Sequence, residues 1–193
     1  DLVGERTSII YDYVGNNPGY GAGHNYAFHQ AKDADYFLVA NPDLEFLPDS
    51  LGSAIEYLDN HQDVGLIAPV LVEPDGSERP ACFRYPALIT LLSRLMNSAW
   101  ADKRNHLYEY RDWDSTKLLM NPELISGCCM LFRNSLFARL RGFDTRYFLY
   151  FEDFDLSLRA NTLTNTCCFP GMKVKHFGGG AGRKGIRHIY YFL

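Results

Sequence analysis

Three clusters of polar residues in this chain have the types and spacing that chemistry requires. Asn41-Pro42-Asp43 follows directly on the apolar run Tyr36 to Ala40. A carboxylate just past the C-terminal end of a buried strand lies where open α/β sheets bind ligands. Asp43 there could ligate Mg2+ or Mn2+, which prefer carboxylate oxygens and bridge to phosphates, and Asn41 could hydrogen-bond a sugar or ribose hydroxyl. The same tripeptide also suits a turn in which Asn and Asp bond their own backbone. The second cluster, Tyr150-Phe151-Glu152-Asp153-Phe154-Asp155-Leu156 with Arg159 one turn on, holds three carboxylates within four residues. Their repulsion must be absorbed by a helix N-terminus, a cation or a metal. The flanking aromatics supply a partly dry wall that can raise a carboxyl pKa toward the working range of a general base. Helix capping with an Asp155–Arg159 pair at i,i+4 spacing is the structural alternative, and both hold if Asp155 is structural and Asp153 catalytic. The third cluster is His176-Phe177-Gly178-Gly179-Gly180. A strand-end imidazole before glycines can face a diphosphate or a metal, or it can be a satisfied half-buried histidine before a turn.

The elements that must carry these clusters alternate short β-like runs with helical stretches, which predicts one layered α/β domain spanning residues 1–193. Strands are expected at Ser8–Val14, Tyr36–Ala40, Val64–Val72, Cys128–Phe132, Thr166–Phe169 and Met172–Phe177. Helices are expected at Gly21–Lys32, from Pro48-Asp49-Ser50 to about His61, at Ala87–Trp100, from Asn134 as cap to Arg141, at Glu152–Ala160, and as a basic helix from near Arg183. Pro74-Asp75-Gly76-Ser77 reads as a turn, and residues 101–117 as a charged, aromatic surface loop.

Composition fits a soluble globular domain, with 47% apolar and 22% charged residues. The net charge of −4 argues against nucleic acid as the main partner, although Arg183, Lys184, Arg187 and His188 form a local basic patch. None of the five cysteines is spaced as C-x-x-C, which speaks against structural zinc, and the pairs Cys128-Cys129 and Cys167-Cys168 sit in apolar runs as small buried hydrophobes. The odd cysteine count suggests a reducing, cytoplasmic setting, and no run reaches the roughly 18 apolar residues of a membrane span. Asp1 and the closing run Ile189-Tyr190-Tyr191-Phe192-Leu193 read as cut ends.

Seven motifs in order carry a resemblance: Asn17-Pro18-Gly19-Tyr20-Gly21-Ala22-Gly23-His24-Asn25, Ala40-Asn41-Pro42-Asp43, Pro74-Asp75-Gly76-Ser77, Ser126-Gly127 with its apolar run, Gly142-Phe143-Asp144, Phe151-Glu152-Asp153-Phe154-Asp155-Leu156, and His176-Phe177-Gly178-Gly179-Gly180. From about residue 9 to residue 190 the chain resembles family 2 glycosyltransferases of the GT-A fold, especially their rhamnosyltransferase-like branch. That resemblance implies a mixed, Rossmann-like sheet flanked by helices, and a divalent metal (Mg2+ or Mn2+). The family's first strand, helix and second strand have no counterpart before Ser8, so an N-terminally truncated domain with an exposed sheet edge is expected, a state that favours a homo-oligomer.

Residue by residue, Asp43 looks like the metal ligand and His176 like the late histidine near metal and diphosphate. Asp153 is similar to the family's base, with Glu152 as the alternative. Gly21, Gly23 and Asn25 fall in the loop lining the nucleotide-sugar pocket. Asn41 matches the sugar contact, and Asp144 would bind a sugar hydroxyl of the acceptor. The implied reaction is inverting transfer of a sugar, rhamnose by the resemblance, from a nucleotide-diphosphate donor to the hydroxyl of a saccharide or lipid-linked saccharide in cell-surface polysaccharide synthesis. The basic and aromatic C-terminal stretch could lie at the inner membrane face, or it could be an ordinary amphipathic helix. A non-catalytic remnant that binds saccharide or a partner protein is the alternative.

Overall fold

The spine of the sheet is Val64–Val72 (β3), buried along nearly its whole length, as a strand covered on both faces must be. The computed structural model describes residues 12–31, 33–86 and 99–177. Asn165–His176 (β9) runs parallel to β3 on one side, and Cys129–Arg133 (β8) runs antiparallel on the other. Tyr36–Ala40 (β1) pairs with β8 and Leu44–Phe46 (β2) with β9, giving the order β1-β8-β3-β9-β2. Glu78–Pro80 (β4) adds to β3 and Leu119–Met120 (β6) to β9, while Cys82–Phe83 (β5) and Leu124–Ile125 (β7) form a separate two-stranded ribbon. The helices are Tyr20–Gln30 (α1), Ser50–Asn60 (α2), Ala99–Tyr108 (α3), Asn134–Leu140 (α4) and Glu152–Asn161 (α5).

Pro69 lies inside β3, where its missing N–H removes a ladder donor. The β3–β9 register shifts between Ala68 and Val70. The Pro69 carbonyl accepts the Ala81 N–H at 2.9 Å and the Cys168 thiol at 3.2 Å instead. Across this break the sequence predicts two strands, Thr166–Phe169 and Met172–Phe177, but residues through His176 form the single β9, with Pro170-Gly171 at the irregularity. The core closes around Phe137, whose ring lies 4.6 Å from Phe37, 4.8 Å from Phe28 and 5.1 Å from Phe132. One side chain of α4 thereby joins α1, β1 and β8. Arg133 donates to the carbonyls of Leu58, His61 and Val64, tying β8 to the end of α2 and the start of β3. The five cysteines are free and buried.

Other expectations change. The segment 101–117 is not a loop throughout, because α3 reaches Tyr108. Its far end is tied back where Arg84 forks onto Asp112 at 2.8 and 3.0 Å and stacks over Tyr110 at 4.1 Å. Asn134 is the first residue of α4 rather than its cap; the cap position belongs to Arg133, and the Asn134 N–H is held by the Asp35 carbonyl at 2.9 Å. Residues 12–14 of the expected first strand are not in a strand, and residues 8–11 lie outside the described residues. So do residues 87–98 of an expected helix, the glycine run from Gly178 and the basic helix near Arg183. Among the described residues no helix is long and apolar enough to cross a membrane.

Helix α5 gives a direct test of where the core ends. Leu156 is 0% exposed and Leu158 is 38% exposed. Leu156→Ala is expected to cost about 2–5 kcal/mol in urea unfolding, whereas Leu158→Ala should stay within about 0.5 kcal/mol of the parent.

Candidate active site

Strand β1 leads into Asn41, and the Asn41 N–H is caught by the Cys128 carbonyl at 2.9 Å. Cys128 belongs to a short strap, Ser126-Gly127-Cys128, that leads into β8. The Gly127 N–H donates to Asp153 Oδ2 at 2.8 Å, and the Phe154 N–H donates to Oδ1 at 2.9 Å. A Cβ on Gly127 would lie 3.0 Å from Asp153 Cβ, so the strap needs glycine to come this close. Burial raises the Asp153 pKa, and the two backbone N–H bonds pull against that rise.

Glu152 beside it is 4% exposed, and its Oε2 has no hydrogen-bond partner. Burial, with the Asp153 charge adding to it, pushes Glu152 up to about 7. Asp155 takes the expected i,i+4 pair with Arg159 at 2.7 Å, and Arg159 also donates to the carbonyls of Leu140 and Gly142 at 2.8 and 2.9 Å. The helix is entered through Tyr150 and Phe151, both in the left-handed region with φ of 71° and 67°. Such a conformation is uncommon for a bulky residue.

The glycine-rich start of α1 packs against the same place. Gly19 has φ of 94°, and a Cβ there would lie 2.5 Å from the Phe148 carbonyl oxygen, which accepts the Tyr20 N–H at 3.1 Å. Gly21 lies against Phe143, with 2.6 Å between its would-be Cβ and that of Phe143, whereas Gly23 has open space around it. The Tyr20 hydroxyl lies 2.5 Å from the Gly127 carbonyl oxygen and 3.1 Å from Asn41 Oδ1. His24 stacks edge-on against Tyr20 at 4.6 Å, and burial brings its pKa down to about 4. It is neutral at neutral pH.

At the other corner, β2 and β9 pair with Leu44 opposite His176, and the Phe177 N–H donates to the Asp43 carbonyl at 3.0 Å. This register sets His176 Nε2 3.4 Å from Asp43 Oδ1, a buried oxygen with no hydrogen-bond partner. An orphaned carboxylate oxygen beside an imidazole nitrogen fits a divalent cation whose remaining positions go to phosphate or water oxygens. Among the described residues no three His, Cys, Asp or Glu side chains gather as a metal cluster. Burial raises the pKa of the Cys128 thiol, and the charges of Asp153 and Asp43 both add to it, so both acidic corners lie close to the strap.

The structure thus brings Asn41, Glu152 and Asp153 to one strap and sets Asp43 beside His176. Two further candidates have other partners. Asp144, expected at a sugar hydroxyl, instead binds the Arg146 guanidinium at 2.6 Å and accepts the Arg146 N–H at 2.9 Å, which holds its carboxyl at about 2. Asn25, expected in the donor pocket, clips its amide onto both the N–H and the carbonyl of Phe143, each at 2.8 Å. Sequence reasoning did not single out Tyr20, although it lies within a quoted motif, and no residue type signals the left-handed pair Tyr150-Phe151.

The mixed sheet with its flanking helices has the fold of a GT-A glycosyltransferase structure. The chain aligns with the crystal structure of GalNAc-T7 with UDP, GalNAc and Mn2+ at a TM-score of 0.57, over 84% of this chain and 31% of that one, with 11% identity. This is a likeness of fold. In sequence it is 32% identical over 156 residues to N-acetylglucosaminyl-diphospho-decaprenol L-rhamnosyltransferase of Mycobacterium tuberculosis (strain ATCC 25618 / H37Rv), covering 76% of this chain and 51% of the relative. It is 29% identical over 161 residues to rhamnosyltransferase WbbL of Escherichia coli (strain K12), covering 77% of this chain and 56% of the relative. The chain therefore spans about half the length of these curated relatives. No protein-family model matches it. The chain belongs to the rhamnosyltransferase-like family 2 glycosyltransferases.

The raised Glu152 has a consequence for stability. Its pKa moves from 4.5 to about 7 on folding, so between those values the native state binds the proton more tightly than the unfolded chain does. The Glu152 contribution is fully present below pH 4.5 and is lost as pH rises through about 7. Urea midpoints of the parent should therefore fall over this window more steeply than those of Glu152→Gln. Equal slopes would show that Glu152 ionises freely in the folded chain.

Proposed function

We propose that this chain is the catalytic part of an inverting glycosyltransferase, which moves a sugar from a nucleotide-diphosphate donor to a saccharide or lipid-linked saccharide acceptor in cell-surface polysaccharide synthesis. Rhamnose is the sugar suggested by the names of the relatives. The observation that carries the reading is the meeting of Asp153 and Asn41 at the Gly127 strap, with the Asp43–His176 pair beyond Cys128. Asp153 takes the proton of the acceptor hydroxyl while that oxygen attacks the anomeric carbon from the face opposite the diphosphate. The bond from the anomeric carbon to the diphosphate breaks, the configuration inverts, and the electron pair leaves with the diphosphate. Asp43 and His176 would hold a divalent ion, which when bound supplies positive charge for the diphosphate. Asn41 and the glycine-rich start of α1 face the sugar and nucleotide.

Two substitutions separate these roles. Asp153→Asn keeps the shape of the carboxylate without its basicity, so transfer should fall by about 10²–10⁴-fold with donor affinity nearly unchanged. Retained turnover would move the base to Glu152, which Glu152→Gln then tests. Asp43→Ala should weaken Mn2+-dependent binding of the nucleotide-sugar, read by calorimetry, by about tenfold or more. Metal dependence identical to the parent would remove Asp43 as a ligand. If the parent chain binds no nucleotide-sugar at all, the remnant reading replaces the enzyme.

A further inference from the structure

Tyr20 reaches from α1 to the strap. Its ring is fixed by edge-on packing against His24 and Phe143, at centroid separations of 4.6 and 6.0 Å. The hydroxyl has one proton, and the 2.5 Å contact to the Gly127 carbonyl takes it. Asn41, turned about its amide, can then present its NH2 to the phenolic oxygen. Gly127 has no side chain to restrict its own backbone. Its two peptide groups are instead fixed from outside: the carbonyl by Tyr20, and the N–H by Asp153 Oδ2 at 2.8 Å.

We propose that Tyr20 is the positioning residue for Asp153: its hydroxyl locks the Gly127 carbonyl, which keeps the Gly127 N–H on Asp153 Oδ2 and so aims the carboxylate and favours its charged form. The role in transfer presupposes Asp153 as the base; the mechanical role does not. Desolvation raises the Tyr20 pKa, with charges on Cys128, Asp153 and Glu152 adding to the effect, so the phenol keeps the proton it donates. Among the described residues, the titratable groups facing Asp153 are Glu152 on its own helix, Cys128 on the strap and Tyr20 from α1. Burial dominates the rise of the Asp153 pKa, and the Gly127 bond is the first of the effects opposing it.

Tyr20→Phe keeps the ring packing and removes the lock. In carboxyl 13C NMR of the full chain, Asp153 should then titrate about one pH unit higher. The acidic limb of the pH profile of kcat should move by the same amount. Replacing Tyr20 by 4-aminophenylalanine, which retains a donor, should restore the parental titration. Replacing it by 4-methylphenylalanine, which fills the hydroxyl's volume without donating, should reproduce the upward shift and serves where the Phe variant does not fold. Asp153 titrating alike in the parent and the donor-free variants overturns the role, whatever happens to thermal stability. The NMR titration requires no transfer, so a shifted Asp153 in a chain without transfer activity would retain the lock and reject the enzyme.

Discussion

A Cβ on Gly127 would come within 3.0 Å of Asp153 Cβ, and this close approach sets the geometry of the site. Strand β7 and the strap that follows it meet helix α5 through two hydrogen bonds. The Ile125 N–H donates to the Ser157 hydroxyl at 3.0 Å, and the Gly127 N–H donates to the Asp153 carboxylate at 2.8 Å. Residues two apart on this segment thus pair with residues four apart on the helix, running in opposite directions, and sliding either would break both contacts. Since the strap continues into β8, between β1 and β3, the acidic helix start is referenced to the middle of the sheet.

Three carboxylates at the start of one helix would repel one another if all were treated alike. The fold treats each differently. Asp155 is neutralised by Arg159, whose remaining donors hold the turn after α4 at Leu140 and Gly142. Asp153 has a backbone N–H on each oxygen, and its position in the first turn adds the favourable end of the helix dipole. Glu152 has no comparable relief and responds by holding its proton to about pH 7. Near neutrality the cluster carries less than its formal charge, which lets an acidic motif pack under aromatic rings instead of facing water. Separating neighbouring carboxyl groups in this way is how one site can contain both a stable anion and a group poised to exchange a proton.

Much of this was legible from residue types. Tyr36–Ala40 and Val64–Val72 appear as predicted strands because their apolar runs are long enough to be buried. The Asp155–Arg159 pair follows from helical spacing alone. What sequence could not give was register and reach. Asp43 meets His176 only because Leu44 falls opposite His176 in an antiparallel ladder, a pairing across the chain that local pattern does not encode. The single β9 was read as two strands because Pro170-Gly171 looks like a break, yet the parallel register with β3 resumes beyond it. The resemblance puts Asn25 in the loop lining the donor pocket and Asp144 beside the acceptor. Here Phe143 and Arg146 lie within reach and engage them. Polarity at a motif position identifies a hydrogen-bonding group without naming its partner.

The entry to α5 shows why rigid local geometry matters here. Phe148 is held to α1 by the Tyr20 N–H at 3.1 Å, and Glu152 already begins the helix. The residues between must turn the chain sharply, and Tyr150 and Phe151 do so in the left-handed region, at a cost of about 1–3 kcal/mol each. Glycine would adopt the same angles without that cost. It would also let the turn populate other conformations and would lose the Phe151 ring, which lies edge-on to Phe154 at 5.7 Å. Aromatic residues thus make the turn costly to form but narrow in its options. A carboxylate whose direction decides which hydroxyl it can deprotonate gains from such a turn, because the same strain that disfavours it locally is balanced by contacts to both α1 and α5, so the two helix starts are held as one unit.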